Sequence, residues 1–158
     1  MNRTDSVRLE RHFDVPPELV WQAWTDASWV RRWMGSDPKG TVLSAVLDVR
    51  PGGRFEVTFA NGDGEEHTCF GIYREVAPSA RLAFSWEWRS EPNVESAVTV
   101  SLAPDASGTR MAFEHADLGG ASQHDYAAGW QRTFDKLERA LAGYRSGAAR
   151  PSAGSKSP

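Results

Sequence analysis

The 158-residue sequence predicts an α+β fold: a curved antiparallel sheet of about seven strands wrapped on a long C-terminal helix, with two short helices between the first and second strands. Apolar residues recur at every second position through residues 7–13 and through most of 43–115, the spacing of half-buried strands. Short sequences rich in Gly, Pro, Asp and Asn interrupt these runs, and after Gly119-Gly120 the period lengthens to that of a helix. Consecutive strands joined by tight turns make a meander whose apolar face needs a cover, and the terminal helix supplies it. One helix does not fill the concave side of a curved sheet, so a cavity between them is expected.

The elements follow in order. VRLERHF (7–13) places Val7, Leu9, Arg11 and Phe13 on one face, a strand with one imperfect position. Pro16 and Pro17 suit a first helical turn, where absent N–H groups cost nothing, and Glu18 to Thr25 reads as a short helix. Asp26 or Ser28 can cap a second helix carrying Trp29 and Trp33. The loop Gly35 to Gly40 ends the pair. Residues 43–49 put Leu43, Ala45, Leu47 and Val49 on one side, and the RPGG turn (50–53) leads to Phe55, Val57 and Phe59 on the next strand. The strand near 67–76 shows no clean alternation, so its inner face stays unassigned. Leu82, Phe84, Trp86 and Trp88 mark a buried face, followed by Val98, Val100 and Leu102, then Met111, Phe113 and His115. Tyr126, Trp130, Phe134 (or Thr133), Leu137 and Leu141 recur at helical spacing, with Gln123, Gln131, Asp135 and Arg139 opposite. Residues 1–144 are read as a single domain. RSGAARPSAGSKSP (145–158) has no apolar periodicity and is expected to be a disordered tail.

Composition narrows the function classes. A net charge of −3 and a pI near 5.8 give no general attraction to nucleic acid or anionic lipid. Cys69 is the only cysteine, so no intrachain disulfide forms. The first residues, MNRTDSVRLERHF, lack an apolar signal core and no stretch reaches membrane-spanning length; a cytoplasmic protein without membrane insertion is expected.

The patterns of known catalytic chemistry are missing. His12, His67, His115 and His124 include no HxxxH pair, and His67 with Cys69 offers two ligands where a structural zinc takes four. No metal or other cofactor is expected. There is no GxSxG elbow and no glycine-rich phosphate loop, since NGDGEE (61–66) lacks the spacing and the lysine. Glu114 and His115 are neighbours on a strand and point to opposite faces. His115 shares the inner face with Met111 and Phe113. It reads first as a satisfied core histidine, and second as a polar anchor inside an apolar pocket; Tyr126 is a similar candidate on the helix.

Four of the seven tryptophans crowd into WQAWTDASWVRRW (21–33). A buried Trp removes about 200 Å² from water, worth about 5 kcal/mol gross. Trp21 and Trp24 are three apart and Trp29 and Trp33 four apart, so each pair shares a helical face that can turn inward. Trp21, Trp24 and Trp29 are assigned mainly to packing. Trp33 and Met34, where the helices give way to a loop, are the candidates for a pocket rim.

VWQAWTD (20–26) with Trp33, DVRPGGRFEV (48–57), GIYREVAPSARLAFSWEW (71–88), TRMAFEH (109–115) and GWQRTFDKLERAL (129–141) together resemble the START-like helix-grip superfamily (SRPBCC, birch-pollen-allergen-like). Within it, the chain looks most like the family named after the activator of the heat-shock protein 90 ATPase, over roughly residues 7–143. The resemblance implies the helix-grip fold with a cavity, and it does not imply one function. Relatives include chaperone activators, carriers of lipids or hydrophobic ligands, antibiotic-sequestering proteins and cyclase-like enzymes. The eukaryotic chaperone activator also uses a separate N-terminal domain that 158 residues leave no room for, so a chaperone ranks last among expected partners.

The leading expectation is a non-enzymatic binder of a hydrophobic small molecule, aromatic or lipid-like, between sheet and helix. Its candidate lining is Trp33, Met34, Phe55, Phe84, Trp86, Trp88, Phe113, His115, Tyr126 and Trp130. The alternatives are a cyclase- or hydratase-like enzyme using His115 and Tyr126 as acid–base groups, and a chaperone-ATPase-activating module. The sequence leaves catalysis undecided.

Overall fold

In the computed structural model, residues 6–118 and 125–145 are described. The order is β1 (Val7–Phe13), α1 (Pro17–Thr25), α2 (Ala27–Trp33), β2 (Thr41–Leu47), β3 (Arg54–Ala60), β4 (Glu66–Ala77), β5 (Arg81–Trp88), β6 (Ser96–Asp105), β7 (Gly108–Ala116) and α3 (Tyr126–Arg145). The seven strands form one antiparallel sheet in the order β1-β7-β6-β5-β4-β3-β2. β2 to β7 are thus a meander, and β1 closes onto its last strand with Val7 opposite His115 and Phe13 opposite Thr109. Among the described residues no helix is long and apolar enough to cross a membrane. Gly119-Gly120, Gln123, His124 and the tail expected beyond the last helix lie outside the described residues; only Arg145 of that tail is described, as the end of α3.

Local chemistry explains most boundaries. Pro17 opens α1, and Asp26 separates the two short helices by accepting the Ser28 N–H at 2.8 Å. The Ser28 hydroxyl and backbone N–H together hold the Asp26 carboxyl below the ordinary carboxylate range. In the RPGG turn Gly52 adopts φ +84°, and the Gly53 N–H closes onto the Arg50 carbonyl at 2.8 Å, as a type II turn demands.

Two strands differ from the sequence reading. β2 carries a bulge between Val42 and Ser44, and the extra residue reverses the alternation there. Val42, Ala45 and Leu47 face the core, whereas Leu43, expected inside, is 47% exposed. β4 turns Cys69, Gly71 and Tyr73 inward, and leaves Ile72 outside. Its central inward position is a glycine, so the strand shows no apolar rhythm.

The core lies between the concave sheet face and the three helices. Phe13, Val57, Phe84, Val98, Val100, Met111 and Phe113 meet Trp24, Trp33, Trp130, Phe134, Leu137 and Leu141. Cys69 is fully enclosed, and burial pushes its thiol well above the ordinary range, as burial also does to the Tyr73 phenol. Neither is a reactive group at neutral pH.

Candidate functional site

The concave side is not uniformly hollow. Its middle is filled by aromatic rings: Trp24 meets Trp33 at 4.8 Å between centroids, and Phe113 meets Trp130 at 4.7 Å and Phe134 at 4.9 Å. A void of only about 20 Å³ remains there, among Trp24, Phe55, Tyr73, Phe84 and Trp86. That is room for about one water. The open space lies at one end instead, where the first two turns of α3 stand off from β3, β4 and β5.

This cleft encloses about 220 Å³. Phe59, Trp86, Trp88 and Trp130 supply its aromatic walls, with Met34 beside them. The polar lining comes from Ser36, Asn61, His67, Asp125, Tyr126, Arg132 and Thr133, and Gly35 and Gly129 leave the space open. On α3 the contributors Tyr126, Gly129, Trp130 and Thr133 recur at three- and four-residue steps, so one helical face forms the roof.

Several contacts fix these walls. The Trp88 Nε1–H donates to the Tyr126 hydroxyl at 2.7 Å, tying sheet to helix. His67 is packed edge-on against Trp88 and tilted against Phe59, and its Nε2 lies 3.1 Å from the Asn61 amide nitrogen. The rim loop 34–40 is latched from α3: the Lys136 ammonium donates to the carbonyls of Gly35 at 3.0 Å and Asp37 at 3.1 Å. Asp37 hooks the same loop to the next turn by accepting the Gly62 N–H at 2.7 Å and the Lys39 N–H at 2.9 Å. Those two N–H groups hold the Asp37 carboxyl below the usual range. Lys136→Met should therefore cost about 1–2 kcal/mol. It should also speed amide exchange across residues 34–40 selectively, and unchanged exchange there would refute the latch.

His115 lies behind this cleft. It is fully buried, and both ring nitrogens are engaged. Its Nδ1 accepts the Trp130 Nε1–H at 2.9 Å, so that nitrogen carries no proton. Its Nε2–H then donates to the Ser96 hydroxyl at 2.6 Å, and that hydroxyl passes its own hydrogen to the Trp86 carbonyl at 3.3 Å. Burial pushes the imidazole down to about 3, so it is neutral at physiological pH. The Tyr126 ring sits 4.3 Å away, centroid to centroid. The pair is adjacent, as acid–base work would require, yet the histidine has no lone pair or proton directed to a substrate.

Of the residues expected to line a cavity, Met34, Trp86, Trp88, Tyr126 and Trp130 do line the cleft. Phe55, Phe84 and Phe113 are packed in the core, and His115 braces Trp130 from behind. Trp33, expected at the rim, is instead wholly buried: its Nε1–H donates to the Ala23 carbonyl at 2.9 Å, which draws the ring under α1. The candidate lining read from the sequence lacks Gly35, Ser36, Phe59, Asn61, His67, Asp125, Gly129, Arg132 and Thr133. Phe59 was visible as the next inward residue after Val57. Gly129 was visible as a glycine inside a helical run. Thr133 stood in the helical spacing as the alternative to Phe134, and the others carry no periodic signal. Among the described residues no three His, Cys, Asp or Glu side chains are grouped to hold a metal.

Solved structures share this architecture. The AHSA1-like protein from Aeromonas hydrophila superposes with a TM-score of 0.77 at 24% identity, covering 93% of this chain and 97% of that one. An uncharacterised protein from Rhizobium leguminosarum gives 0.74 at 28% identity, covering 89% and 95%. A protein from Nitrosomonas europaea gives 0.75 at 25% identity, covering 88% and 95%. No curated protein matches the chain in sequence. Residues 14–142 match the family described as Activator of Hsp90 ATPase homolog 1-like protein, and with that match spanning most of its length the chain belongs to this family.

Proposed function

We propose that this protein binds a small aromatic molecule with polar substituents in the cleft between α3 and strands β3–β5. The observation that carries the reading is the pairing of aromatic walls from Phe59, Trp86, Trp88 and Trp130 with a polar rim from Ser36, Asn61, His67 and Thr133. Apolar walls with a few placed polar groups are the usual composition of small-molecule sites. Size narrows the ligand further. The cleft's 220 Å³ falls below the roughly 300–1,000 Å³ of drug-sized sites, while an apolar cavity of about 150 Å³ holds benzene. One substituted ring fits better than a lipid chain, because the packed aromatic middle of the sheet blocks a longer channel.

Gly129 supports the same reading. A glycine inside a helix costs about 0.5–1 kcal/mol relative to alanine. A Cβ built there meets only the Ser36 Cβ, at an ordinary 3.8 Å, so packing does not demand glycine. Its effect is to keep the cleft open. Gly129→Ala is expected to raise stability by about 0.5–1 kcal/mol in urea unfolding. Gly129→Leu should fold and fill the cleft. A library of monocyclic aromatics followed by amide shifts should give hits on residues 34–36, 59–67 and 126–133 of the parent protein, and none on Gly129→Leu. Hits that survive in the leucine variant, or that map elsewhere, would overturn the proposal.

The enzymatic alternative that uses His115 and Tyr126 as acid–base groups loses its base, since both ring nitrogens of His115 are spent on Trp130 and Ser96. Binding without turnover is the reading this geometry supports.

A further inference from the structure

Most of the described arginines outside the helices are paired with carboxylates, Arg54 of β3 being the exception. Arg8, Arg74, Arg81 and Arg110 on the sheet, and Arg50 and Arg89 in turns, each pair with a carboxylate, and Arg11 bridges to Asp135 and Glu138 on one flank of α3. The other flank of α3 presents Arg132, Lys136 and Arg139, at positions i, i+4 and i+7 and therefore on one edge. Among the described residues none of these three forms an ion pair with an acidic side chain, and neither does Arg32 of α2. Arg32 instead lies 4.7 Å over the Trp29 ring. The carboxylate of this region, Asp37, spends its oxygens on the Gly62 and Lys39 N–H groups. Burial pulls Lys136 toward its neutral form, the Asp37 carboxylate opposes that pull, and the neighbouring Arg139 cation adds a smaller pull toward neutrality. On a chain with net charge −3, this is a local excess of positive charge, with Asp37 the carboxylate that bears on Lys136.

The patch is also grooved. Arg32, Lys136 and Arg139 flank a depression of about 450 Å³ whose remaining lining is Pro38, Gly40, Ala140 and Gly143. Small residues along the floor let a polypeptide backbone lie close. Arg132, Lys136 and Arg139 are strung along about 10 Å of helix, at about 1.5 Å per residue, so they do not converge on one point. Arg32 comes from α2 and Lys136 and Arg139 from α3, so the groove's cations line its two sides and carboxylates spaced along one extended chain can meet them in turn. A lone phosphate would want its cations gathered around it. A bilayer surface would want apolar anchors beside the charge, but the exposed large hydrophobics, Leu43, Val46 and Ile72, lie on the strands away from this groove.

We propose that the groove between α2, the 34–40 loop and the C-terminal half of α3 docks an extended acidic segment of a partner protein, whose carboxylates lie along Arg32, Lys136 and Arg139. This site is separate from the aromatic cleft and does not depend on it. The test is an amide-shift titration of the full ¹⁵N-labelled chain at low salt with an acetylated hexaglutamate peptide. Hexaglutamine, inorganic phosphate and phosphatidylglycerol vesicles are the comparison arms. The expected result is a set of shifts centred on Gly40, Ala140 and Gly143 that fades with added salt. Binding should weaken about tenfold in Arg32→Gln/Arg139→Gln and change little in Arg54→Gln, a cation of β3 that does not line the groove. Arg139→Gln alone, at an exposed position, guards against a folding defect from loss of the Arg32–Trp29 stack and should weaken binding severalfold. The proposal is overturned if hexaglutamine binds equally, if Arg139→Gln changes nothing, or if phosphate or vesicles occupy the groove as tightly as the acidic peptide.

Discussion

Acidification from pH 7 to pH 5 is expected to remove about 2 kcal/mol of stability through His115 alone. The unfolded imidazole takes up a proton near its ordinary 6.5, whereas the folded one, pushed down by burial to about 3, stays neutral. Across that interval the unfolded state binds more protons. The contribution is therefore complete above pH 6.5 and declines as the pH falls toward 3. Asp26 and Asp37, both held below 3.8, titrate beneath this window and leave the pH 5–7 interval clear. The comparison is His115→Gln, whose carbonyl can accept from Trp130 and whose amide can donate to Ser96 without titrating. Urea unfolding of both proteins at pH 7 and pH 5 should show a smaller loss for the glutamine variant by about 2 kcal/mol. Equal losses would mean that His115 does not carry the effect. The two proteins differ at position 115 alone, so the difference isolates that side chain.

The second large effect is Gly71→Ala, which should cost about 3–5 kcal/mol. A Cβ at this position would lie 2.0 Å from the Ser85 carbonyl oxygen and 2.6 Å from Phe55 Cε2. The first obstacle is backbone and cannot rotate away. Relief would require β4 to move off β5, where the Ser85 hydroxyl also accepts the Ile72 N–H at 2.9 Å. It would also disturb Phe55, whose ring packs on Phe84 at 5.1 Å and on Trp86 at 6.3 Å, next to the cleft wall. A denaturation midpoint within the equivalent of about 1 kcal/mol of the parent would show that the strands yield more easily than this geometry allows.

These two residues mark what the sequence makes visible and what it conceals. Alternation identified the inward faces of β3, β5, β6 and β7, because each keeps a large apolar residue at every second position. It failed at β2, where the bulge at Leu43 inserts a residue and reverses the phase. It was silent at β4, where Gly71 occupies the inward position that would have carried the signal. The same limit applies to the cleft. Aromatic residues announce which way they face, but open space depends on what packing omits, and Gly35 and Ser36 have no rhythm to read. Trp33 shows the converse: its place at the end of α2 suggested a rim, yet a hydrogen bond to a carbonyl ten residues back settled it in the core. Charge was concealed too, since a net value of −3 averages a paired sheet face with an unpaired helical one.

The packing of the tryptophans has a consequence for how the molecule handles light. Trp33 touches Trp24 at 4.8 Å, Trp24 approaches Trp130 at 6.4 Å, Trp130 lies 5.2 Å from Trp86, and Trp86 lies 5.4 Å from Trp88. Excitation absorbed at any ring in this series can hop to its neighbours before emission, so the five indoles radiate collectively. The series runs from the deepest core to the walls of the cleft. A guest that quenches Trp88 or Trp130 would therefore darken rings it never touches, and emission from the core would register occupancy at the surface.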